Sequence, residues 1–171
     1  DPALADTAVI INEFGEVAID HLPVEQASDG IIQLSDGCLC CTVRGELVDT
    51  LADLVDRLQT GRIARLARVI VETTGLADPA PVLQSIMAHP ALVQAFRLDG
   101  VITLVDAVNG NATLDAHVEA VKQAAVADRI VLSKADLVTD PRELETLRSR
   151  LRQINPGAEL LDAADTGTGV A

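Results

Sequence analysis

Four short apolar runs constrain this chain more than any other feature: residues 8–11 (AVII), 69–71 within RVIVE, 101–105 (VITLV) and 130–132 (IVL). Each is rich in β-branched residues and apolar on both faces. A strand with one wet face alternates apolar and polar residues, whereas a strand covered on both faces reads as a continuous apolar run. Residues 159–161 form a weaker run, and residues 31–34 suit a short edge strand. Helical spacing fills the intervals. Leu47, Leu51, Leu54, Val55 and Leu58 recur at three and four residues across 44–59, with Gly61 as a stop. Residues 79–87 open with prolines, 114–127 are rich in Ala and Val, and 141–154 follow Asp140, a good N-cap, and stop before Asn155-Pro156-Gly157. Strands alternating with helices build a parallel sheet through right-handed crossovers. The expectation is a three-layer α/β fold, a mainly parallel sheet with helices on both faces. It occupies residues 1–171 as one domain, and the small, polar segment 163–171 reads as a linker.

Composition narrows the partners. The 171 residues include two Phe, no Tyr and no Trp, so the core must be built from Val, Leu, Ile and Ala. Without aromatic faces there is no platform for stacking single-stranded bases. With 49% hydrophobic and 23% charged residues the chain is globular rather than disordered. Thirteen basic against 26 acidic residues leave a net charge of −13. That field repels phosphate backbones and anionic lipid, so neither nucleic acid nor membrane is an expected partner. No apolar run approaches ~20 residues and no signal peptide is visible, which points to the cytoplasm.

In open parallel sheets ligands bind where strands end. Asn12-Glu13-Phe14-Gly15-Glu16 follows the first run and Glu72-Thr73-Thr74-Gly75 the second. Asp106 follows the third and Ser133-Lys134-Ala135-Asp136 the fourth. Polar loops are ordinary, but four such segments at successive strand ends form a coherent site edge. Glu72-x-x-Gly75 resembles the phosphate-sensing element of P-loop GTPases, where an acid holds Mg2+ or a water and the Gly amide meets the γ-phosphate. Ser133-Lys134-x-Asp136 resembles the guanine-specificity loop, normally Asn-Lys-x-Asp. An Asp carboxylate there accepts from the ring N–H and amino group of guanine, a donor pair that adenine lacks. Ser133 in place of Asn is a departure that weakens the contacts holding this loop.

Cys38, Cys40 and Cys41 lie within four residues. An odd, local cluster forms no disulfide framework and reads as a reduced metal or redox site. In an extended segment Cys38 and Cys40 point the same way and can share one metal, while Cys41 faces elsewhere. Thiolates suit Zn2+, Co2+ or Cu+. A closed site needs a further ligand: Glu13, a His, or a second chain, the last giving a homodimer. His21, His89 and His117 read as surface or packing residues.

Taken in order, INEFGEVAID, LSDGCLCCTVRGEL, VIVETTGLADPAPV, DGVITLVDA, ADRIVLSKADL and LRQINPGAEL resemble the CobW-type metallochaperone GTPases, relatives of the hydrogenase and urease nickel-insertion GTPases. The resemblance runs from about residue 8 to 161. It implies a P-loop NTPase-like fold, GTP hydrolysis with Mg2+, and Zn2+ or Co2+ bound at C-x-C-C. The acceptor would be an apoprotein or a cofactor pathway such as cobalamin biosynthesis. By position, Cys38, Cys40 and Cys41 match the metal motif, and Glu13 and Glu16 match the acidic loop beside it. Glu72 and Gly75 match the γ-phosphate element, and Lys134 and Asp136 the guanine loop.

The P-loop signature Gly-x-x-x-x-Gly-Lys-Ser/Thr is absent from this sequence, whose two lysines, Lys122 and Lys134, are followed by Gln123 and Ala135. The chain is therefore expected to be the middle of a longer GTPase, with the P-loop upstream and a smaller domain downstream. A metal-binding module that works without nucleotide is the alternative, and a thiol redox protein the third reading.

Overall fold

The computed structural model describes residues 6–11, 31–33, 42–73 and 75–164. Its contacts divide the chain into two compact units, 1–97 and 98–171.

The first unit contains β1 (Thr7–Ile11), β2 (Ile31–Gln33), α1 (Thr42–Gln59), β3 (Arg68–Glu72), α2 (Pro79–Ala88) and α3 (Pro90–Ala95). Its strands run parallel in the order β2-β1-β3, with Ile10 level with Ile32 on one side and Val71 on the other. Ala8 and Ile10 of β1 are buried with Leu47, Leu51 and Leu54 of α1 and Leu92 of α3. The heptad-like leucine spacing thus becomes the inner face of α1. Gly61 ends that helix as expected: its φ of 72° is left-handed, and its N–H donates to the Leu58 carbonyl at 3.3 Å. Helix α2 starts on Asp78, whose carboxylate accepts from Ala80 N at 3.0 Å. His89 is extended (φ −86°, ψ 116°) ahead of Pro90, which separates α2 from α3. The sequence pattern did not anticipate α3, a six-residue helix whose buried anchor is Leu92.

The second unit contains β4 (Ile102–Asp106), α4 (Gly110–Ala116), α5 (Val118–Val126), β5 (Arg129–Ser133), a 3-10 turn (Ala135–Leu137), α6 (Pro141–Ile154) and β6 (Glu159–Asp162). The strands are parallel in the order β4-β5-β6, with Asp106 level with Ser133. Ile130, Leu132, Leu147 and Leu151 form the centre of its core with Ala107, Leu114, Ala124 and Ala127. Gly110 is needed there: a Cβ on it would lie 2.9 Å from Leu147 Cδ2 and 3.0 Å from Val105 Cγ1. The expected single helix over 114–127 is instead two, broken at His117 (φ −131°, ψ 114°) with no Gly or Pro to announce it.

Side-chain bonds brace this unit across long sequence separations. Thr103 Oγ1 donates to the Gln123 carbonyl at 2.9 Å, tying β4 to α5. Asn155 Nδ2 reaches the carbonyls of Ala124 (3.0 Å), Ala125 (3.2 Å) and Ala127 (2.8 Å), so the residue read as a helix stop also holds the end of α5. Several apolar side chains stay outside this packing, Leu104 on β4 most of all, at 72% exposed. Among the described residues no helix is long and apolar enough to cross a membrane.

Candidate functional site

The carboxyl ends of β4 and β5 lie side by side because their register pairs Asp106 with Ser133. Asp106 gathers the loops that leave them. Its Oδ1 accepts from Val108 N (2.9 Å) and Asn109 N (3.3 Å), closing a turn that leads into α4. Its Oδ2 accepts from Asn109 Nδ2 (3.2 Å) and from Lys134 Nζ (2.7 Å). The Lys134 ammonium, aided by the N–H groups of Val108 and Asn109, lowers the Asp106 carboxyl from 3.8 to about 2. The pair is partly open to water, with side-chain exposures of 56% for Lys134 and 27% for Asp106.

Lys134 takes a left-handed backbone, φ 58° and ψ 26°, a conformation uncommon for residues with a Cβ. It turns the chain out of β5 into the 3-10 turn that carries Asp136. Ser133 is half-buried, its Oγ 3.4 Å from the Val105 carbonyl. Asp136 and its neighbour Leu137 are exposed. The arrangement offers a carboxylate as acceptor, an apolar lysine stem and a fixed ammonium within one short segment.

In the first unit Glu72 is the last residue of β3, level with Ile11 of β1, and is exposed. Gly75 lies in the turn that follows, where a Cβ would meet nothing within 4 Å. Asp78, three residues on, caps α2. Its capping role escaped the sequence reading, although Asp before two nearby prolines is a recognisable helix start. Asp106 was read only as one polar strand end; the bond to Lys134 depends on strand register, which no local motif encodes.

Cys38, Cys40, Cys41, Glu13 and Glu16 lie outside the described residues, as does His21. Their strands do neighbour each other: β1, after which Glu13 and Glu16 come, pairs with β2, after which the cysteines come, and Ile11 is level with Gln33. Among the described residues no group of three His, Cys, Asp or Glu could hold a metal. His89 and His117 both sit at helix junctions.

A family model of the CobW/HypB/UreG nucleotide-binding domain matches residues 2–162. The chain is 43% identical over 151 residues to the zinc chaperone YjiA of Escherichia coli K12, covering 88% of this chain and 46% of that protein. It is 33% identical to the zinc chaperone CobW of Pseudomonas aeruginosa, covering 94% and 49% respectively. Against the zinc-regulated GTPase metalloprotein activator 1 of Saccharomyces cerevisiae it is 30% identical, covering 86% and 39%. The chain thus spans about half the length of the curated relatives it matches, or less. The crystal structure of the Zn(II)-bound YjiA GTPase from E. coli matches with a TM-score of 0.72 at 38% identity, over 94% of this chain and 49% of that one. The shared fold is α/β, parallel sheets with helices on both sides.

Proposed function

Because the chain belongs to the CobW/HypB/UreG nucleotide-binding family, we propose that its protein is a GTP-hydrolysing metallochaperone that carries Zn2+ and delivers it to an acceptor apoprotein or cofactor pathway. The observation that carries the nucleotide half is the turn after β5. There Lys134 and Asp136 follow a strand whose end is already ordered by a neighbouring strand. Asp136 accepts from the ring N–H and the amino group of guanine, and the Lys134 stem covers the face of the base. Adenine, without that donor pair, leaves the carboxylate unsatisfied and is rejected. Ser133 supports the loop from behind. Glu72, exposed at the end of β3, offers the hard oxygen that a Mg2+ ion or its bound water takes. Mg2+, when bound with GTP, offsets the charge of the phosphates. The Gly75 amide, in the turn after β3, meets the γ-phosphate and senses its loss.

The metal half rests on donor chemistry. Cys38, Cys40 and Cys41 supply soft thiolates, and Glu13 and Glu16 supply carboxylates from the neighbouring strand end. Zinc chaperones among the relatives favour Zn2+ as the cargo over Co2+. Metal uptake releases protons and weakens in acid, since the ligands are thiolates.

Two measurements on the full-length protein test this reading. GTP should be hydrolysed in preference to ATP, and Zn2+ should bind to the reduced protein and be lost in a variant with Cys38, Cys40 and Cys41 all changed to Ser. Equal turnover of both nucleotides would remove the guanine assignment. Undiminished zinc in the triple variant would remove the cysteine site, and zinc binding without any GTP turnover would leave a nucleotide-independent carrier.

A further inference from the structure

Asp106 makes four bonds, yet neither the guanine motif nor the phosphate motif includes it. From its geometry we infer that Asp106 is a positioning residue that fixes Lys134 and keeps Asp136 available for the base, an inference that rests on the guanine reading above. Two acids neighbour one lysine, one by sequence and one in space. Asp136 is two residues from Lys134, and Asp106 is brought beside it by the pairing of β4 with β5. The ammonium is taken by Asp106, at 2.7 Å.

The Asp106 carboxylate is well suited to win that competition. Three N–H donors from its own loop, Val108 N, Asn109 N and Asn109 Nδ2, already hold it at 2.9, 3.3 and 3.2 Å. It cannot swivel without giving up these bonds. The other end of the bridge is fixed too, because Lys134 leaves β5 with a left-handed φ of 58°. Backbone strain of this kind persists where surrounding structure over-determines it, and it clusters at ligand clamps.

Two consequences follow for the base. A lysine anchored at both ends presents its methylene stem as a set surface instead of sampling many rotamers in water. And an ammonium engaged by Asp106 is withdrawn from Asp136, whose carboxylate stays free to accept from guanine. Asp106→Asn keeps the shape and an acceptor for the backbone donors but removes the charge. Lys134 then turns to Asp136 and competes with the nucleotide.

The test is a double-variant cycle in the full-length protein, read as GDP affinity with a fluorescent GDP analogue. Asp106→Asn should weaken GDP about tenfold, the scale of one charge-assisted bond. In a Lys134→Met background the same change should cost less than about twofold, since no ammonium remains to be misdirected. ADP affinity should stay unchanged by Asp106→Asn in both backgrounds. An equal loss of GDP affinity with and without Lys134 would overturn the inference and assign Asp106 a purely local role in its own loop. Absence of GDP binding in the unaltered protein would overturn the guanine reading and this inference together, so the two failures are distinguishable. If Asp106→Asn loses its far-ultraviolet dichroism, Asp106→Glu, which moves the charge by one methylene, takes its place in the same cycle with the same expected non-additivity.

Discussion

Strands β3 and β5 end alike in sequence, each an apolar run followed by a short polar signature that contains an acid, but they end differently in space. β5 is the middle strand of its sheet, flanked by β4 and β6, and the side chain at the end of β4 holds the residue that leaves β5. Among the described residues β3 pairs with β1 alone. Its final Glu72 is exposed, and a side chain added at Gly75 would meet open space. A central strand has neighbours on both sides to organise its carboxyl end; an edge strand has one. The end of β5, which the proposed function assigns to the base, is therefore held by a neighbouring strand, while no such side-chain bond joins Glu72 to another described residue.

The largest effect should come from removing the support of the ordered end. Leu147 is fully buried beneath Val105 and Gly110, and Leu147→Ala should lower stability by about 2–5 kcal/mol in denaturant titration. A loss below 1 kcal/mol, on the order of a surface change, would mean that β4 and β5 do not depend on α6. Next, if the proposed guanine contact holds, Asp136→Ala should weaken GTP roughly 100-fold while leaving ATP unaffected, since two charge-assisted bonds would disappear. Comparable losses for both nucleotides in competition binding would place the base elsewhere.

Two glycines sharpen the contrast directly. Gly110→Ala forces a Cβ against Leu147 and Val105 and should cost about 1–3 kcal/mol. Gly75→Ala should leave stability within about 0.5 kcal/mol, because its Cβ meets nothing. Its effect should appear instead as slower GTP hydrolysis by the full-length protein. Equal melting temperatures for the two variants would erase the distinction between the ends.

The smallest effect is in acid. The Asp106 carboxyl is held at about 2, below its ordinary 3.8, mainly by Lys134. A carboxylate depressed in the folded state stabilises fully above the unfolded value, and that contribution is lost as pH falls through the folded one. The stability gap between the unaltered protein and Asp106→Asn should therefore hold above pH 3.8 and close towards pH 2. A gap independent of pH in this window would show that the charge on Asp106 contributes nothing.

The sequence was most legible where local chemistry decides. Helix α6 begins and ends as read, since Asp140 caps it, Pro141 opens it and Asn155-Pro156 closes it. The strands fall within a residue or two of the apolar runs, because burial on a parallel sheet selects such runs. Lys134 and Asp136 stood out as candidates because four consecutive residues form their motif. What escaped was long-range: α3 depends on Leu92 finding the core of the first unit, and the break at His117 carries no Gly or Pro signal. The Asp106–Lys134 bridge joins residues 28 apart that only the register of β4 and β5 makes neighbours.

Leu104 is the most exposed large apolar side chain among the described residues, and that bears on how copies of this chain associate. It stands 72% exposed on β4, which among the described residues pairs with β5 alone, and is next but one to the exposed Ile102. Exposed apolar edge strands are templates for self-association. The opposing influence is the net charge of −13, which keeps copies apart at neutral pH. That repulsion comes from carboxylates, so it fades as they protonate and is screened by salt, while apolar association is weakened by neither. Acidified or salted solutions of the isolated chain should cloud long before the fold melts, and Leu104→Lys should keep them clear.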